Sequence, residues 1–289
     1  MTSDNLLEKV KQLREITGVG FKDCKSAIDE TKGDIEKSVE WLRKKGIAKA
    51  SNRMARVAAE GLVCIYEQAN KFAMIEINSE TDFVAKNNEF INFAEEISKL
   101  ALVHFGEMED ILKSTMINKK KVKDNLVDLI FKIGEKITLR RAAFIGKGKS
   151  INFSYTHASL KKNIGKLGVL LSLETTKSTK EVLDFGKQLA MQIAASSPLA
   201  IDKDSLDQNI LKKEKEIITE ELKNSGKDIK IVEKITLGKL NKFIDENTLL
   251  NQEWIIDPKK KVKDILKQVA GNDKIEVKKF IRFKVGEGV

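Results

Sequence analysis

The sequence FAMIEINSETDFVAKN, residues 72–87, is the stretch that decides the fold. Its first part, Phe72 to Ile77, is an apolar alternating run, which predicts a strand. A polar tripeptide and a short turn follow, and a helical pattern begins after Asn87. Phe83 therefore lies beside Asp82 on a strand-to-helix turn. Because turns lie at the surface, the Phe83 ring must either fold back onto the core or serve something outside the chain.

The composition is that of a chain able to bury a real core. Its 289 residues are 41% hydrophobic and 33% charged, which fits one large domain or two to three small ones. The sequence has no apolar run near the roughly 18 residues that span a bilayer, so we expect a soluble, cytosolic protein. Its two cysteines, Cys24 and Cys64, fall in helical and strand patterns, which predicts small core residues in a reducing compartment.

The net charge of +10 invites a nucleic-acid interpretation, since a basic surface that neutralises phosphates gains affinity by counterion release. However, seven of the 53 basic residues are Arg, and most Lys residues alternate with Glu and Asp along amphipathic helices. The pattern favours a solvated, Lys-rich surface over a phosphate-binding one.

Residues 4–46 are predicted to form three short helices. Their apolar faces are Leu6, Val10, Leu13 and Ile16, then Phe21, Cys24, Ala27 and Ile28, then Ile35, Val39 and Leu42. Gly18, Gly33 and Gly46 are the predicted stops, and Asp34 is placed to N-cap the third helix.

A bundle this small, with a Gly-Val-Gly-Phe turn at residues 18–21, resembles a ubiquitin-associated (UBA) domain. In that fold the first inter-helix loop is a protein-docking surface. The alternative is that Val19 and Phe21 close the small core, and the sequence leaves both open. A linker helix, rich in Ala, Lys and Arg, is predicted for Ile47 to Ala59.

A weak internal repeat follows the linker. Leu62 to Tyr66, Phe72 to Ile77 and a helix capped by Asn87 or Asn88 form a β-β-α unit, with Phe90, Phe93, Ala94, Ile97 and Leu100 as its helical face. The order recurs in Ile151 to Tyr155, Leu167 to Leu173 and a helix carrying Val182, Phe185, Leu189 and Ile193.

The two copies differ at the turn after the second strand. Aligning Glu80-Thr81 with Glu174-Thr175 places Thr176-Lys177-Ser178 opposite Asp82-Phe83-Val84. The absence of an aromatic from the second copy favours a non-structural role for Phe83.

The remaining patterns complete an α+β fold. Helices are predicted around Ile111 and from Val122 to Ile133, followed by a strand from Ile137 to Ile145. Beyond Pro198, the apolar residues of 204–222 and 231–243 predict two antiparallel helices joined at Asn224-Ser225-Gly226, forming an arm. The predicted division is 1–50, a linker 51–60, a first core half 61–147, a second core half 148–197 with 244–289, and the arm 198–243.

The sequence offers no convincing enzyme site. His104 and His157 are too few and too isolated for a histidine metal site, and neither cysteine lies in a nucleophile motif. Residues 146–150 look like half of a phosphate loop, but Ala143 stands where its first glycine belongs. We therefore expect neither catalysis nor a cofactor or metal of the protein's own.

Several stretches, in the right order, resemble the bacterial elongation factor Ts family. They are Leu13–Gly18, Gly33–Glu36, Thr81–Asn87, Ile133–Glu135 and Phe280–Gly288. The resemblance covers nearly the whole chain and implies a UBA-like N-terminal module, two similar α+β core halves and an inserted helical-hairpin arm. It implies exchange of guanine nucleotide on elongation factor Tu, bound with GDP or nucleotide-free, with no nucleic acid or membrane required and with a homodimer or heterotetramer formed through the arm.

The resemblance also implies the site residues. Thr81, Asp82, Phe83 and Val84 would disturb the partner's Mg²⁺ site, with Phe83 as the wedge, and the partner-binding residues would be Val19, Gly20, Phe21 and His157. Two departures qualify this expectation: the turn Ala158 to Gly165 is longer and more Lys-rich than usual, and many relatives continue past the position of Val289 into a helix that docks on the partner. A lower affinity is expected on that ground.

Two other function classes stay open at this stage. A basic RNA- or ribosome-binding protein would show affinity that falls steeply with salt. A purely structural interaction module would bind a partner without changing nucleotide rates. Asp82 and Phe83 are needed by the exchange factor and by neither alternative.

Overall fold

The structure is a computed structural model that describes residues 3–146, 148, 150–176, 178–223 and 229–289. It combines helices with three antiparallel sheets, which confirms the α+β class. Within those ranges, no helix is long and apolar enough to cross a membrane. The predicted turn at Asn224-Ser225-Gly226 lies outside the described residues, as do Lys147, Lys149 and Lys177.

The N-terminal helices are α1 (Ser3–Thr17), α2 (Phe21–Glu30) and α3 (Ile35–Arg53). They enclose a small core formed by Val10, Leu13, Val19, Cys24, Ala27, Ile28 and Leu42. Asp34 caps α3 as predicted, because its side chain accepts a hydrogen bond of 3.0 Å from the backbone N–H of Lys37.

The predicted stop at Gly46 is wrong, since α3 runs through it to Arg53 and crosses the predicted boundary at residue 50. A Cβ at Gly46 would lie 3.2 Å from two atoms of the Phe131 ring. This glycine therefore allows close packing of two helices and does not end one. The division of the chain into domains stays a prediction.

The first core half contains two strands and four helices before its third strand. These elements are β1 (Glu60–Gln68), β2 (Lys71–Ser79), α4 (Asp82–Ala85), α5 (Asn88–Val103), α6 (Met108–Lys113), α7 (Val122–Ile133) and β3 (Ile137–Ile145). Asn87 is the N-cap of α5, and its side chain accepts hydrogen bonds from the N–H groups of Glu89 and Phe90. Strand β2 lies between β1 and β3 in the sheet.

The second core half begins with β4 (Ser150–His157), β5 (Ile164–Gly165), β6 (Leu167–Thr175) and α8 (Lys180–Ser196). The two residues of β5 pair with Val63 and Cys64 of β1, so this strand completes the sheet of the first half. The long turn after His157 therefore joins the two halves.

The arm is a pair of packed helices, α9 (Gln208–Lys223) and α10 (Ile229–Asn247). Lys239 and Glu221 form an ion pair of 2.8 Å across it. Helix α9 begins later than the apolar pattern suggested, because Asp202 and Ser205 close a hydrogen-bonded turn. The chain then returns to the second half.

The elements that complete the second half are a 3-10 turn (Leu249–Asn251), β7 (Glu253–Trp254), β8 (Asp257–Lys261), α11 (Val262–Ala270) and β9 (Ile275–Lys284). Strand β9 pairs with β6, giving the order β4-β6-β9. This order repeats the β1-β2-β3 arrangement of the first half.

The two halves share details of register that confirm the repeat. Ser79 pairs with Ile137 where Thr175 pairs with Ile275. In each half the pairing skips one residue of the neighbouring strand, Arg140 in β3 and Lys278 in β9, three positions after that pair. Ser79 is thus equivalent to Thr175. The sequence alignment of Glu80-Thr81 with Glu174-Thr175 was wrong by two residues.

The two sheets pack face to face, with helices outside them. The contact is a small apolar cluster of Val63, Ile65, Met74, Ile145, Leu170 and Phe283. At Gly168 the sheets approach so closely that a Cβ would lie 2.7 Å from both the Met74 sulfur and a Val63 methyl. Larger apolar clusters lie between each sheet and its own helices.

Candidate functional site

The turn between β2 and α5 carries the most exposed aromatic side chain of the described residues. Phe83 is 78% exposed, whereas Val84 and Ala85 beside it are buried. Burying such a ring stabilises a fold by roughly 1.5–3 kcal/mol, and this fold leaves the ring in solvent. Of the two possibilities that the sequence left open, the structure therefore shows the ring facing outward.

Helix α4 is held to the core by Thr81, the residue that precedes it. The Glu135 carboxylate accepts two hydrogen bonds from Thr81, 3.0 Å from its backbone N–H and 2.8 Å from its hydroxyl. The Ser79 hydroxyl donates to the Thr81 carbonyl at 2.8 Å. The exposed ring of Phe83 thus stands on a fixed backbone.

Glu80 provides a second anchor for the same turn. Its carboxylate accepts a 2.6 Å hydrogen bond from the backbone N–H of Lys136 and pairs with the Arg56 guanidinium at 3.3 Å. The Lys136 ammonium donates in turn to the Arg56 carbonyl. The segment after α3 and the loop after α7 are both fastened to this turn.

Asp82 presents a carboxylate next to the exposed ring. The Lys86 ammonium donates to it at 2.9 Å and lies 5.8 Å from the centre of the Phe83 ring. This hydrogen bond lowers the pKa of Asp82 below its ordinary value, and the charges of Lys86 and Lys166 act in the same direction. Asp82 is therefore an anion at neutral pH.

The extra length of this turn separates the two core halves. Seven residues lie between the end of β2 at Ser79 and the N-cap Asn87, whereas three lie between Thr175 and the N-cap Thr179. The difference equals the four residues of α4, and the described residues between Thr175 and Thr179 contain no helical turn. The fold reaches its helix in the second half without such an element.

The N-terminal turn divides between core and surface. Val19 is buried in the small core, so its side chain faces the interior of the N-terminal bundle. Gly20 is exposed, and Phe21 is 45% exposed. Val19 therefore closes the core and Phe21 does not, and docking of a partner at this turn stays a prediction.

His157 lies exposed at the end of β4. Its Nδ1 hydrogen-bonds to the Tyr155 hydroxyl at 3.1 Å, and its carbonyl accepts from the N–H of Lys166 at 3.2 Å. The Lys166 ammonium pairs with Glu60 at 2.6 Å and interacts with the charge of Asp82. Lys166 thus connects His157 to the turn of Phe83.

The N-terminal turn approaches the same region through the end of α7. A Cβ at Gly18 would lie 2.9 Å from the Lys132 side chain, and Lys132 is three residues before Glu135, which holds Thr81. The sequence contained Glu135 in the stretch Ile133–Glu135 but gave it no role. Its partner Thr81 is 54 residues away, which a single sequence does not reveal.

Comparison with known proteins decides the family. A family model described as elongation factor TS matches residues 80–287. The chain belongs to the elongation factor Ts family. Among its curated relatives, the elongation factor Ts of Methylorubrum extorquens (strain PA1) is 42% identical and that of Methylorubrum populi is 43% identical, each over 283 residues, 97% of this chain and 92% of the relative. That of Bartonella henselae is 41% identical over 286 residues, with the same coverage. Membership of the elongation factor Ts family gives this chain a role in translation elongation.

Proposed function

We propose that this protein is a guanine-nucleotide exchange factor for elongation factor Tu. The observation that carries the proposal is the Phe83 ring, exposed on a turn that Glu135 and Glu80 fix to the core. An exposed ring on a rigid base loses little conformational entropy on binding, which favours its insertion into a partner. Family membership supports elongation factor Tu as that partner.

The mechanism acts through the partner's bound Mg²⁺. This ion demands near-ideal octahedral geometry and bridges the phosphates of the nucleotide, so a small displacement of its ligands loosens GDP strongly. In the proposal Phe83 wedges between partner side chains near that ion, while Thr81, Asp82 and Val84 shape the turn that delivers it. The factor need not touch GDP.

Thermodynamic coupling makes the step reversible. If the factor weakens GDP on its partner by some ratio, GDP weakens the factor by the same ratio. Either nucleotide then expels the factor, and GTP reloading completes the cycle. The protein acts in this way on a GTPase in the cytoplasm, without a catalytic site or cofactor of its own.

Two further contacts support the wedge. Gly20 and Phe21 are accessible at the N-terminal turn, with Val19 holding that turn from inside. His157 offers a contact from the second half, oriented by the Tyr155 hydroxyl. In the proposal, these residues and Phe83 contact the partner from the N-terminal bundle and from both core halves.

The test is the release of a fluorescent GDP from elongation factor Tu in stopped flow, under excess unlabelled nucleotide. The wild-type chain should accelerate release with a rate that saturates. Phe83→Ala should lower the saturating acceleration by about tenfold or more, which is about 1.4 kcal/mol or more of lost stabilisation. Its far-ultraviolet circular dichroism should be unchanged, because the ring makes little contact with the core.

A matched control is Ile117→Ala, which truncates a side chain that is 84% exposed outside the turn. It should keep wild-type acceleration. Equal acceleration by the wild type and Phe83→Ala would remove the wedge from the mechanism. Binding of the wild type without any acceleration would leave an interaction module, and salt-sensitive binding to RNA in its place would favour the nucleic-acid class.

A further inference from the structure

Glu76 is a fully buried carboxylate at the contact between the two sheets. Along β2, Ala73, Ile75 and Ile77 pack in the apolar cluster under the helices, whereas Met74 packs against the second sheet. Because side chains alternate along a strand, Glu76 shares the face of Met74. Its exposed fraction is 0%. A charge in this position is costly unless every oxygen has partners.

Three of its partners belong to the first half. The Asn78 amide donates to Oε1 at 3.1 Å, and the Arg140 guanidinium donates to the same oxygen at 3.0 Å. Arg141 donates to Oε2 at 2.5 Å. These contacts neutralise the carboxylate within its own sheet.

The fourth partner comes from the far end of the chain. The backbone N–H of Gly286 donates to Oε1 of Glu76 at 3.0 Å, across 210 residues of sequence. Gly286 has a φ of +73°, and a Cβ there would lie 2.2 Å from the Ala59 carbonyl oxygen. Only glycine fits this conformation and this approach without strain.

The two arginines extend the contact to the second half. Arg140 donates to the Glu287 carbonyl at 2.6 Å, and Arg141 donates to the Lys284 carbonyl at 3.3 Å. The Arg141 guanidinium also lies 4.2 Å from the centre of the Phe283 ring. One buried carboxylate thus organises both arginines against the C-terminal turn, residues 284–288. We call this group the Glu76 clasp.

The apolar contact between the sheets has six buried and four partly buried residues, fewer than either cluster under the helices, and apolar packing is non-directional. A buried polar group adds little net stability. Another arrangement of the halves would leave Glu76 without the Gly286 N–H, and would leave the two arginines without the Glu287 and Lys284 carbonyls, so the contacts favour this geometry. The Glu76 clasp therefore suits the task of fixing how one half is oriented on the other.

We infer that Glu76 is a positioning residue that sets the relative orientation of the two core halves, so that Phe83 of the first and His157 of the second meet the partner together. This inference rests on the proposed exchange function. Two contacts held in one geometry bind with a high effective concentration, which a loose junction between the halves lowers.

The first experiment measures exchange as a function of factor concentration. Glu76→Gln should keep the saturating release rate within about twofold, because Phe83 is intact, and should raise the half-saturating concentration by about tenfold, as expected for lost bivalency. His157→Ala should raise the half-saturating concentration in the wild type and have little further effect in Glu76→Gln. If Glu76→Gln only lowered stability, His157→Ala would raise the half-saturating concentration by the same factor in Glu76→Gln as in the wild type.

The matched control is Glu109→Gln, which makes the same chemical change at an exposed carboxylate within the first half. Gly286→Ala is the second variant, because it displaces the C-terminal turn and leaves the buried carboxylate with its arginines. It should raise the half-saturating concentration as Glu76→Gln does. If Glu76→Gln does not fold, Gly286→Ala alone decides the inference.

The second experiment measures orientation without the partner. Spin labels at Lys123→Cys and Lys187→Cys report the distance between the halves by double electron-electron resonance, since both native cysteines are buried. The distance distribution should be narrow in the wild type and in Glu109→Gln, and should broaden in Glu76→Gln and Gly286→Ala.

Unchanged distance distributions in both variants would overturn the inference, and so would broadened distributions with unchanged half-saturating concentrations. A wild-type chain that accelerates no GDP release would instead defeat the proposed exchange function. The distance measurement would then decide by itself whether the Glu76 clasp sets the orientation.

Discussion

The two core halves have one architecture and different connections. Each has a central strand, an outer strand on each side and a capped helix that follows the central strand, and in each the last strand has a bulge at the equivalent position. The first half inserts α4 into the connection, and the second half does without it. An element that one copy omits at no cost to the architecture is free to serve a partner, which is the role proposed for Phe83.

The helices of the two halves also fill the same space differently. Counting from the caps Asn87 and Thr179, Phe93 is equivalent to Phe185, and Ala94 to Gly186. The sheet register makes Cys64 equivalent to Phe153. A Cβ at Gly186 would lie 2.2 Å from the Phe153 ring, so the second half combines a large strand residue with the smallest helix residue. The first half uses two small residues in the same places.

The largest expected effect breaks this packing comparison. Phe153→Ala should lower the free energy of unfolding by about 3–5 kcal/mol. The lost ring leaves a cavity, and Gly186, which faces it, has no side chain to fill it. The equivalent Cys64→Ala removes a single sulfur atom and should cost roughly 1 kcal/mol.

Urea unfolding followed by circular dichroism measures both values. A loss of unfolding free energy that is several times larger for Phe153→Ala than for Cys64→Ala would support the combination of a large strand residue with a small helix residue. Similar losses for the two variants would mean that the sites are not equivalent in packing.

An intermediate effect is expected at the anchor that holds α4. Glu135→Ala removes both acceptors of Thr81 and leaves its partly buried N–H without a protein partner, which should cost about 1–3 kcal/mol. The saturating exchange rate should fall as well, because the base of Phe83 is released.

Hydrogen exchange at the Thr81 amide checks the anchor directly. It should become faster in Glu135→Ala, and the amides of α8 should keep their wild-type protection. Wild-type protection at Thr81 would show that Glu135 does not hold the turn.

The smallest effect concerns the charge on α4. The Lys86 hydrogen bond lowers the pKa of Asp82. The contribution of this ion pair to stability is therefore complete above the ordinary Asp pKa, and it is lost as the pH falls through the lowered pKa. Between pH 8 and 5 the carboxylate should therefore not titrate. In Lys86→Ala the pKa of Asp82 should rise toward its ordinary value, as measured by carbon NMR of the carboxyl group. An identical titration in both proteins would contradict the ion pair.

Much of this fold is predictable from the sequence because strands and amphipathic helices have local periods. The hairpin and the repeat follow from them. The cap Asp34, and Asn87 as one of two candidates, follow from polar residues placed where those helical patterns begin. Gly46 was misread because the same residue serves as a helix stop or as a close contact, and Phe131, which decides between them, is 85 positions away. The alignment of the halves was wrong by two residues because a repeat of two short strands does not fix its own register.

The site shows the same limit. A turn with an aromatic residue leaves two positions open for the Phe83 ring, and the structure shows the outward one. Its anchors do not follow, since Glu135 and Lys136 lie on a loop that only the tertiary fold brings to Thr81 and Glu80. The buried state of Val19 likewise depends on packing between helices.

The late pairing of Glu76 has a consequence for biosynthesis. Strand β1 has an open edge until Ile164 and Gly165 have been made, and the carboxylate of Glu76 lacks one donor until Gly286 has been made. Gly286 follows the end of β3 by 141 residues, which is roughly 7–28 s of synthesis at 5–20 residues per second. The first half of a nascent chain therefore waits through that interval with an incomplete interface. The edge of β1 is open to pairing with other chains for a shorter part of it, until β5 is made 20 residues after the end of β3.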